Sequence, residues 1–519
     1  MVYEIIENKD ETVSIFKNKE LFKIFVPTIN LDNSLKLLIQ FNNIIIENEK
    51  ISARWKYSEY YIFPALQEWL FWDYFVPVVQ HHQAIVFLKG KNFKFKKNNH
   101  HTNSRLQKYF SFLRNDDRIY YKKLLNLISN ILLKVINIKE KIVINDEGIT
   151  GFRYESIKRE LSLVTDLKRV QKINRITYPN LKVIKNTLYF GFADTSKNKI
   201  KFSIDISDYP ILEEFLTQDE LIATIKKIDN KCRDIIYQCN MLIKKIGTKL
   251  PKLLITYDQV ETILPLLIIL REKKIKVISY QHGVLTKFHA GWMGHGIEEK
   301  YCNAVPDKLI VWGNYWKEIL IKHSNKYNQS NIIVGAHLNK KINYNWEKKN
   351  LVNPKCKKIK ILVPFEFIAA NIEISNYIEK FIDFGWQVKI KIRPKGNGDI
   401  NFDKLAYSKL IQNECEFKYD FCNEELNEIH AVVCTQSSFG MEMMRFNKPI
   451  WYLETKFKFM DDILKNIAHR INIKTCSELK EMRILEKFLI PKYNLENYKN
   501  FFSDLPLKDT ISKIISEKI

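Results

Sequence analysis

No two cysteines in this 519-residue chain stand at Cys-x-x-Cys spacing. The eight present, at positions 232, 239, 302, 356, 415, 422, 434 and 476, fit reduced thiols in a cytosolic protein better than a disulfide framework or a zinc site. The opening residues, MVYEIIENKDETVS, lack the apolar core of a signal peptide. No uncharged run reaches the roughly 20 residues of a membrane helix. The expectation is a cytoplasmic protein, at most peripheral on the inner face of a membrane. Internal repeats of about 20 to 50 residues and coiled-coil heptads are also missing. His289 and His295, with five residues between them in the Gly-rich run KFHAGWMGHG, do not have the spacing of a metal pair. No metal and no bound cofactor are expected.

Carboxylates are in deficit: 59 Asp and Glu face 83 Lys and Arg, for a formal charge of +24. Such an excess suits an anionic partner, whether nucleic acid, an anionic membrane surface or a nucleotide-bearing substrate. The lysines are spread along the chain among many Asn and Ile, a look that drift in an AT-rich genome also gives. No DNA- or RNA-binding motif is evident, and the basic residues are not gathered into one element. A basic nucleic-acid-binding protein remains the non-enzyme alternative, although no specific nucleic acid is expected as a partner.

With 46% hydrophobic residues the chain is long enough for two or three cores. Residues 1–105 show little periodicity and read as an irregular N-terminal extension, either accessory or part of the domain that follows. Their most unusual piece is YSEYYIFPALQEWLFWDYFVPVVQ, residues 57–80. It reads as a buried helix or as an interfacial one with the lysines of residues 89–97 alongside; the tract KGKNFKFKKNNHHTN reads as a solvated loop. From 106 to 340, strand-like KIVIN, PKLLITYD, KVISY, KLIVW and NIIV are separated by helical stretches. Residues 341–358 read as a linker, and 359–519 alternate KILVPFE, QVKIKIRP, EFKYD, AVVCT, PIWYL and RINIK with helices and end in further helices. Strands and helices alternating at this length predict α/β structure: two Rossmann-like domains facing a cleft.

In open parallel sheets, ligands gather beyond the carboxyl ends of strands. AVVCT delivers Gln436, Ser437 and Ser438 to the start of a helix, where backbone N–H groups favour a phosphate; the alternative is a serine N-cap. Glu442, one turn on, either accepts from ribose hydroxyls or faces solvent. Arg393 and Lys395, after QVKIKI, can neutralise a departing phosphate, and Glu366 follows ILVPF at the same edge. In the earlier domain Asp146-Glu147-Gly148 follows KIVIN, Asp258 ends LLITYD, and Gln281-His282-Gly283 ends KVISY. A hydroxyl acceptor needs a base, so Glu147 and Asp146 are the first candidates and His282 the second. The other reading of Asp146-Glu147-Gly148 is a strand-ending turn. Gln281, Gly283, His289, His295 and Asp258 are candidate acceptor-side residues.

YQHG, VPDKLIVWGNYWKEIL and IIVGAH, with SSFGMEMMRFNKPI, together resemble the GT-B-fold glycosyltransferases of bacterial surface-polysaccharide assembly, those of capsule, O-antigen and lipopolysaccharide, over residues 250–455. The resemblance implies a nucleotide-sugar co-substrate on the C-terminal domain, a glycan or lipid-linked acceptor on the other, and no metal. A narrower resemblance is to sialyltransferase-like enzymes using CMP-sugars, which carry an acidic pair before Gly, a His-Pro and a Ser-Ser. Asp146-Glu147-Gly148 and Ser437-Ser438 match in order, but the place of the His-Pro holds Arg393-Pro394-Lys395. A sugar-nucleotide epimerase and a polyol-phosphate transferase of the same architecture are the rival enzymes. Donor, acceptor, linkage, stereochemistry and oligomeric state are not written in the sequence.

Overall fold

The computed structural model describes residues 2–8, 12–96, 105–113, 142–145, 170–175, 187–190, 204–246, 253–257, 263–335, 358–365, 371–392, 404 and 407–516. Two compact units share the chain, one made of Met1–Leu31, Gln83–Thr102 and Asn339–Phe502, the other of Asp32–His82, Asn103–Leu338 and Ser503–Ile519.

The first unit contains two sheets. Its N-terminal strands are β1 (Val2–Glu7), β2 (Val13–Lys17) and β3 (Glu20–Phe25). In the second unit β4 (Lys56–Tyr57) and β5 (Tyr60–Tyr61) form a short antiparallel ladder, after which β6 (Asn92–Phe95) returns to pair in parallel with β1. The small sheet has the order β3-β2-β1-β6. Residues 1–105 therefore carry regular structure where the sequence showed little periodicity. The tract read as a solvated loop supplies β6, whose Phe93 and Phe95 alternate with exposed neighbours. Asn18 and Lys19, with φ of 53° and 70°, make the two-residue turn between β2 and β3.

The second unit is built on β7 (Ile142–Asn145), β8 (Val170–Arg175), β9 (Thr187–Phe190), β10 (Leu253–Tyr257), β11 (Lys276–Tyr280), β12 (Lys308–Val311) and β13 (Ile332–Val334). All neighbours pair in parallel, in the order β13-β12-β11-β10-β7-β8-β9. The helix Leu264–Glu272 makes the crossover from β10 to β11, and its first seven residues are buried. Asp229, on the helix Gln218–Ile246, is buried with Arg54 Nε at 2.6 Å and Arg233 Nε at 3.0 Å.

The larger sheet of the first unit holds β14 (Lys360–Pro364), β15 (Gln387–Lys391), β16 (Glu416–Lys418), β17 (Ala431–Cys434), β18 (Ile450–Leu453) and β19 (His469–Ile471), again all parallel, ordered β16-β15-β14-β17-β18-β19. Its hydrophobic runs are continuous because both faces are covered. Ile361, Val363, Val388, Ile390 and Val433 enter one core; Leu362 and Val432 enter the other with Met443 and Phe446. Two parallel-sheet units with flanking helices are the two-Rossmann α/β architecture expected from the sequence. After β19 the chain turns helical at Ile473–Glu478, with Asn472 as N-cap, and the next helix begins only at Met482.

The aromatic run is interior. Phe63, Leu70, Phe71, Tyr74 and Phe75 are at most 5% exposed, and the helix passes through a π-helical turn at Phe71–Phe75. That turn is the less regular part of a segment whose carboxylate has a partner in a distant loop: Glu68 accepts from Gly291 N at 2.8 Å and from Trp72 Nε1 at 2.7 Å. Among the described residues no helix is long and apolar enough to cross a membrane. Replacing Glu68 with Ala strips both donors of this acceptor, and a loss of about 1–3 kcal/mol is expected in denaturant unfolding. Glu68→Gln, which keeps one carbonyl oxygen, should lose less; equal stabilities for all three proteins would show that the contact is incidental.

Candidate functional site

Each large sheet reverses its winding once. In the first unit the chain winds from β14 outward to β15 and β16, then returns to the other side of β14 to lay down β17, β18 and β19. Adjacent strands whose connections leave in opposite directions part at their carboxyl ends, and the crevice there is where such sheets take ligands. By topology that candidate edge falls beyond Pro364 of β14 and Cys434 of β17. In the second unit the same reversal falls between β7 and β10, which end at Asn145 and Tyr257.

Beyond Cys434 the buried Thr435 leads to Gln436 and to Ser437, which takes the N-cap position of the helix Ser438–Glu442 in an extended conformation. The Ser437 hydroxyl does not cap that helix, so the reading of this residue as a plain N-cap does not describe it. Gly440 brings the helix hard against β17: a Cβ there would lie 2.7 Å from Cys434 Sγ. Glu442 is 8% exposed rather than on the surface, and it acts electrostatically on the half-buried Arg445, whose guanidinium is shifted down first by desolvation and held up by Glu442 and Tyr498. From the neighbouring edge Lys391 Nζ lies 5.0 Å from the centroid of the Phe439 ring and donates to Tyr419 O at 2.5 Å and to Asp420 Oδ1 at 3.3 Å. Lys391 opens the stretch Lys391-Ile392-Arg393-Pro394-Lys395-Gly396 that the sequence offers at this edge, whereas Phe439, one after Ser438, has no role in the sequence reading. Glu366, Arg393 and Lys395 lie outside the described residues, as do Asp146, Glu147 and Asp258.

In the second unit the end of β11 is fastened to β12 by Gln281. Its Oε1 accepts from Trp312 N at 2.9 Å, its Nε2 donates to Gly283 O at 2.7 Å, and its carbonyl accepts from Trp312 Nε1 at 2.8 Å. This fully buried amide is therefore committed to holding the strand end, with His282 and Gly283 immediately beyond it. His289 takes the N-cap position of the short helix Ala290–Met293 and is half-buried. Burial, with His282 adding to it, pushes its imidazole down to about 3. Its Nδ1 accepts from Thr286 N at 3.3 Å, which assigns the ring proton to Nε2. His295 Nε2 contacts Lys287 O at 2.5 Å, and burial lowers its basicity too. The structure thus brings Gln281, His282, Gly283 and His289 together at one strand end. Gly294 and Gly296, at φ of 64° and 67°, give the turns that fold the loop over, and Gly296 packs against the Ile39 backbone at 3.1 Å from where a Cβ would stand.

Among the described residues no group of three His, Cys, Asp or Glu is placed to hold a metal.

No family model matches the chain. No curated protein matches it. Among solved structures it is similar to UDP-GlcNAc 2-epimerase from Methanocaldococcus jannaschii in complex with UDP-GlcNAc and UDP, at 14% identity and a TM-score of 0.41 over 72% of this chain and 99% of that one. The calicheamicin glycosyltransferase gives 10% identity and a TM-score of 0.41 over 73% and 97%, and MurG of Acinetobacter baumannii 10% and 0.40 over 73% and 100%. A likeness at this level assigns neither a substrate nor a reaction.

Two outcomes are expected. Gly440→Ala forces Cys434 and the helix apart and should destabilise the protein by about 1–3 kcal/mol in denaturant unfolding; an unchanged midpoint would mean that the helix is not packed as described. For His289, the folded-state value of about 3 lies below the ordinary 6.5. Above 6.5 the group is neutral folded or unfolded; as pH falls from there toward 3, only the unfolded chain takes up the proton, so stability drops by up to about 1.4 kcal/mol per pH unit. Thermal melts of the native protein and His289→Gln, compared from about pH 7 to 4.5, should show the shallower slope in the variant. Parallel slopes would place His289 in water.

Proposed function

We propose that this protein is a glycosyltransferase that moves a sugar from a nucleotide-sugar donor to a hydroxyl of a surface-polysaccharide or lipid-linked glycan, without a metal ion. The observation that carries the reading is the coincidence, in both sheets, of the winding reversal with the residues the sequence offers for this chemistry. Ser437 and Ser438 follow β17 and Glu366 follows β14; Asp146 and Glu147 follow β7 and Asp258 follows β10. Donor and acceptor have opposite needs. A departing nucleotide phosphate needs hydroxyls, backbone N–H groups and cations, which Gln436, Ser437, Ser438, Arg393, Lys395 and the neighbouring Lys391 supply. An attacking hydroxyl needs a carboxylate or imidazole to take its proton, the role of Glu147 or Asp146, with His282 as the second choice.

In the inverting form of the reaction the acceptor oxygen attacks the anomeric carbon as the bond from that carbon to the phosphate oxygen breaks. The electron pair leaves with the nucleotide, and the acceptor's proton passes to the carboxylate. Glu442 and Arg445 fix the helix that carries the serines, Glu366 orients the donor sugar, and Gln281 holds His282 and Gly283 at the acceptor side with His289, His295 and Asp258 nearby in sequence.

Calorimetric titration and thermal shift with CMP, UDP, GDP, ADP and dTDP provide the test. One nucleotide should bind selectively, and Ser438→Ala and Arg393→Ala should each weaken it by about tenfold or more, as expected for a lost charge-assisted hydrogen bond. Glu147→Gln should keep that affinity while turnover falls about 10²- to 10⁴-fold. Folded protein that binds none of the five would sink the proposal. Conversion of a nucleotide-sugar to its epimer with no acceptor present would replace it by the epimerase reading.

A further inference from the structure

The small sheet of the first unit carries a surface that the proposed reaction does not use. β3 is its edge strand, and along and just after it Leu21, Phe22, Ile24 and Val26 are 53%, 48%, 50% and 60% exposed. Natural edge strands are usually blunted by charge, proline or a covering element; this one presents four large apolar side chains. Beneath them is a firm base. Phe87 lies 5.5 Å, centroid to centroid, from both Phe22 and Phe25 and 5.8 Å from Tyr3, so the hairpin is joined to the helix His82–Leu88 by an aromatic cluster.

Ammonium groups ring this cluster. Lys91 Nζ lies 3.4 Å from the Phe87 centroid, Lys23 Nζ 4.9 Å from that of Phe25 and Lys17 Nζ 5.8 Å from that of Phe22. Lys19 stands at the exposed hairpin tip and Lys89 is exposed beside the helix end. Among the described residues of 2–26 and 86–96 there are seven lysines and three carboxylates, and of those three Glu7 is buried. A second copy of the chain would set the same cations against one another. A surface that is apolar at its centre and anionic around it complements both properties.

We propose that this hairpin face docks on an anionic lipid surface, Leu21, Phe22, Ile24 and Val26 entering at headgroup depth while the lysines meet lipid phosphates. The proposal is independent of the transferase reading. It also moves membrane contact away from the aromatic run at 57–80, most of whose residues from Ile62 to Gln80 are buried, to a different stretch of the chain.

The full-length protein is sedimented with phosphatidylcholine vesicles and with vesicles that also contain phosphatidylglycerol, at low and high salt. Binding is expected only to the anionic vesicles and only at low salt. Lys17→Ser, Lys23→Ser and Lys91→Ser together should lower the partition coefficient on the order of a hundredfold. Leu21→Ser with Ile24→Ser should lower it at least tenfold, roughly the loss from withdrawing two aliphatic side chains. A charge-matched control, Lys226→Ser, Lys273→Ser and Lys513→Ser on exposed sites of the other unit, should change it less than about threefold. Melting curves establish that each variant is folded. Absence of sedimentation at low salt overturns the proposal. Equal weakening by the control overturns it in favour of diffuse charge attraction. A native dimer that becomes a monomer in the Leu21/Ile24 variant by light scattering overturns it in favour of a second copy.

Discussion

Parallel pairing governs this structure. A parallel strand cannot be reached by a tight turn, so every neighbour is laid down through a crossover that covers one face of the sheet. A sheet wound in one direction only would have one face bare, and both large sheets escape this by reversing: after β16 the chain returns to the flank of β14, and after β9 to the flank of β7. The reversal that closes the core is the same event that opens a crevice at the carboxyl edge. Burial and chemistry are therefore coupled. Ile361 and Val363 on one face and Leu362 on the other are interior because helices lie on both sides, and helices lie on both sides because the connections diverge at the point where Ser437 and Ser438 leave β17.

What the crevices need from their surroundings is fixed backbone, and each unit obtains it by a different means. In the first, Gly440 lets a short helix approach the strand more closely than any side chain allows. In the second, buried polar groups do the fastening. Gln281 occupies both ends of its amide with Trp312 N and Gly283 O, and Lys326 Nζ donates to Gly291 O at 2.8 Å and to Pro64 O. Such groups cost desolvation energy that their partners offset only when all are in place. The result is a loop with few alternative arrangements, held around the half-buried His282 and His289.

Much of the strand order in the two large sheets was legible because runs such as KILVP, AVVC and IWYL are apolar almost throughout and covered on both faces, whereas β8, VQKINR, has no such run and was not read as a strand. The N-terminal sheet was not, since VSIFK has no exposed residue and ELFKIF is exposed at all but Phe25, so neither carries a clean alternation, and the two-residue turn Asn18-Lys19 carries no glycine to announce it. Nor does anything local reveal that residues 83–102 rejoin a unit whose main sheet begins at 360; that pairing of β6 with β1 is a contact over some ninety positions. At the site, residue types pointed to the strand ends but not to their occupancy. Gln281 looked like a ligand-facing amide and is a fastener. Glu442 looked like a surface or ribose-facing acid and is interior beside Arg445, because its short helix is turned into the core by Met441, Met443 and Met444.

The large positive charge divides in the same way once it is placed in the fold. Many of the cations in the first unit are answered locally: Lys389 and Lys418 share Glu416 and Glu425, Lys360 meets Glu428, and Arg470 contacts Glu454 and Asp461. Lys448 is interior, with its Nζ on Asn427 O at 2.6 Å, and burial pushes it down to about 8. Exposed pairs of this kind contribute little stability, but each lowers the local field around its own cation. Charge that is paired or buried does not make a track for a polyanion. Lys17 and Lys23 of the β2–β3 hairpin and Lys91 beside it are arranged otherwise: they lie over aromatic rings, with few carboxylates near them among the described residues. A formal charge read from composition averages over these two situations, and only the fold separates them.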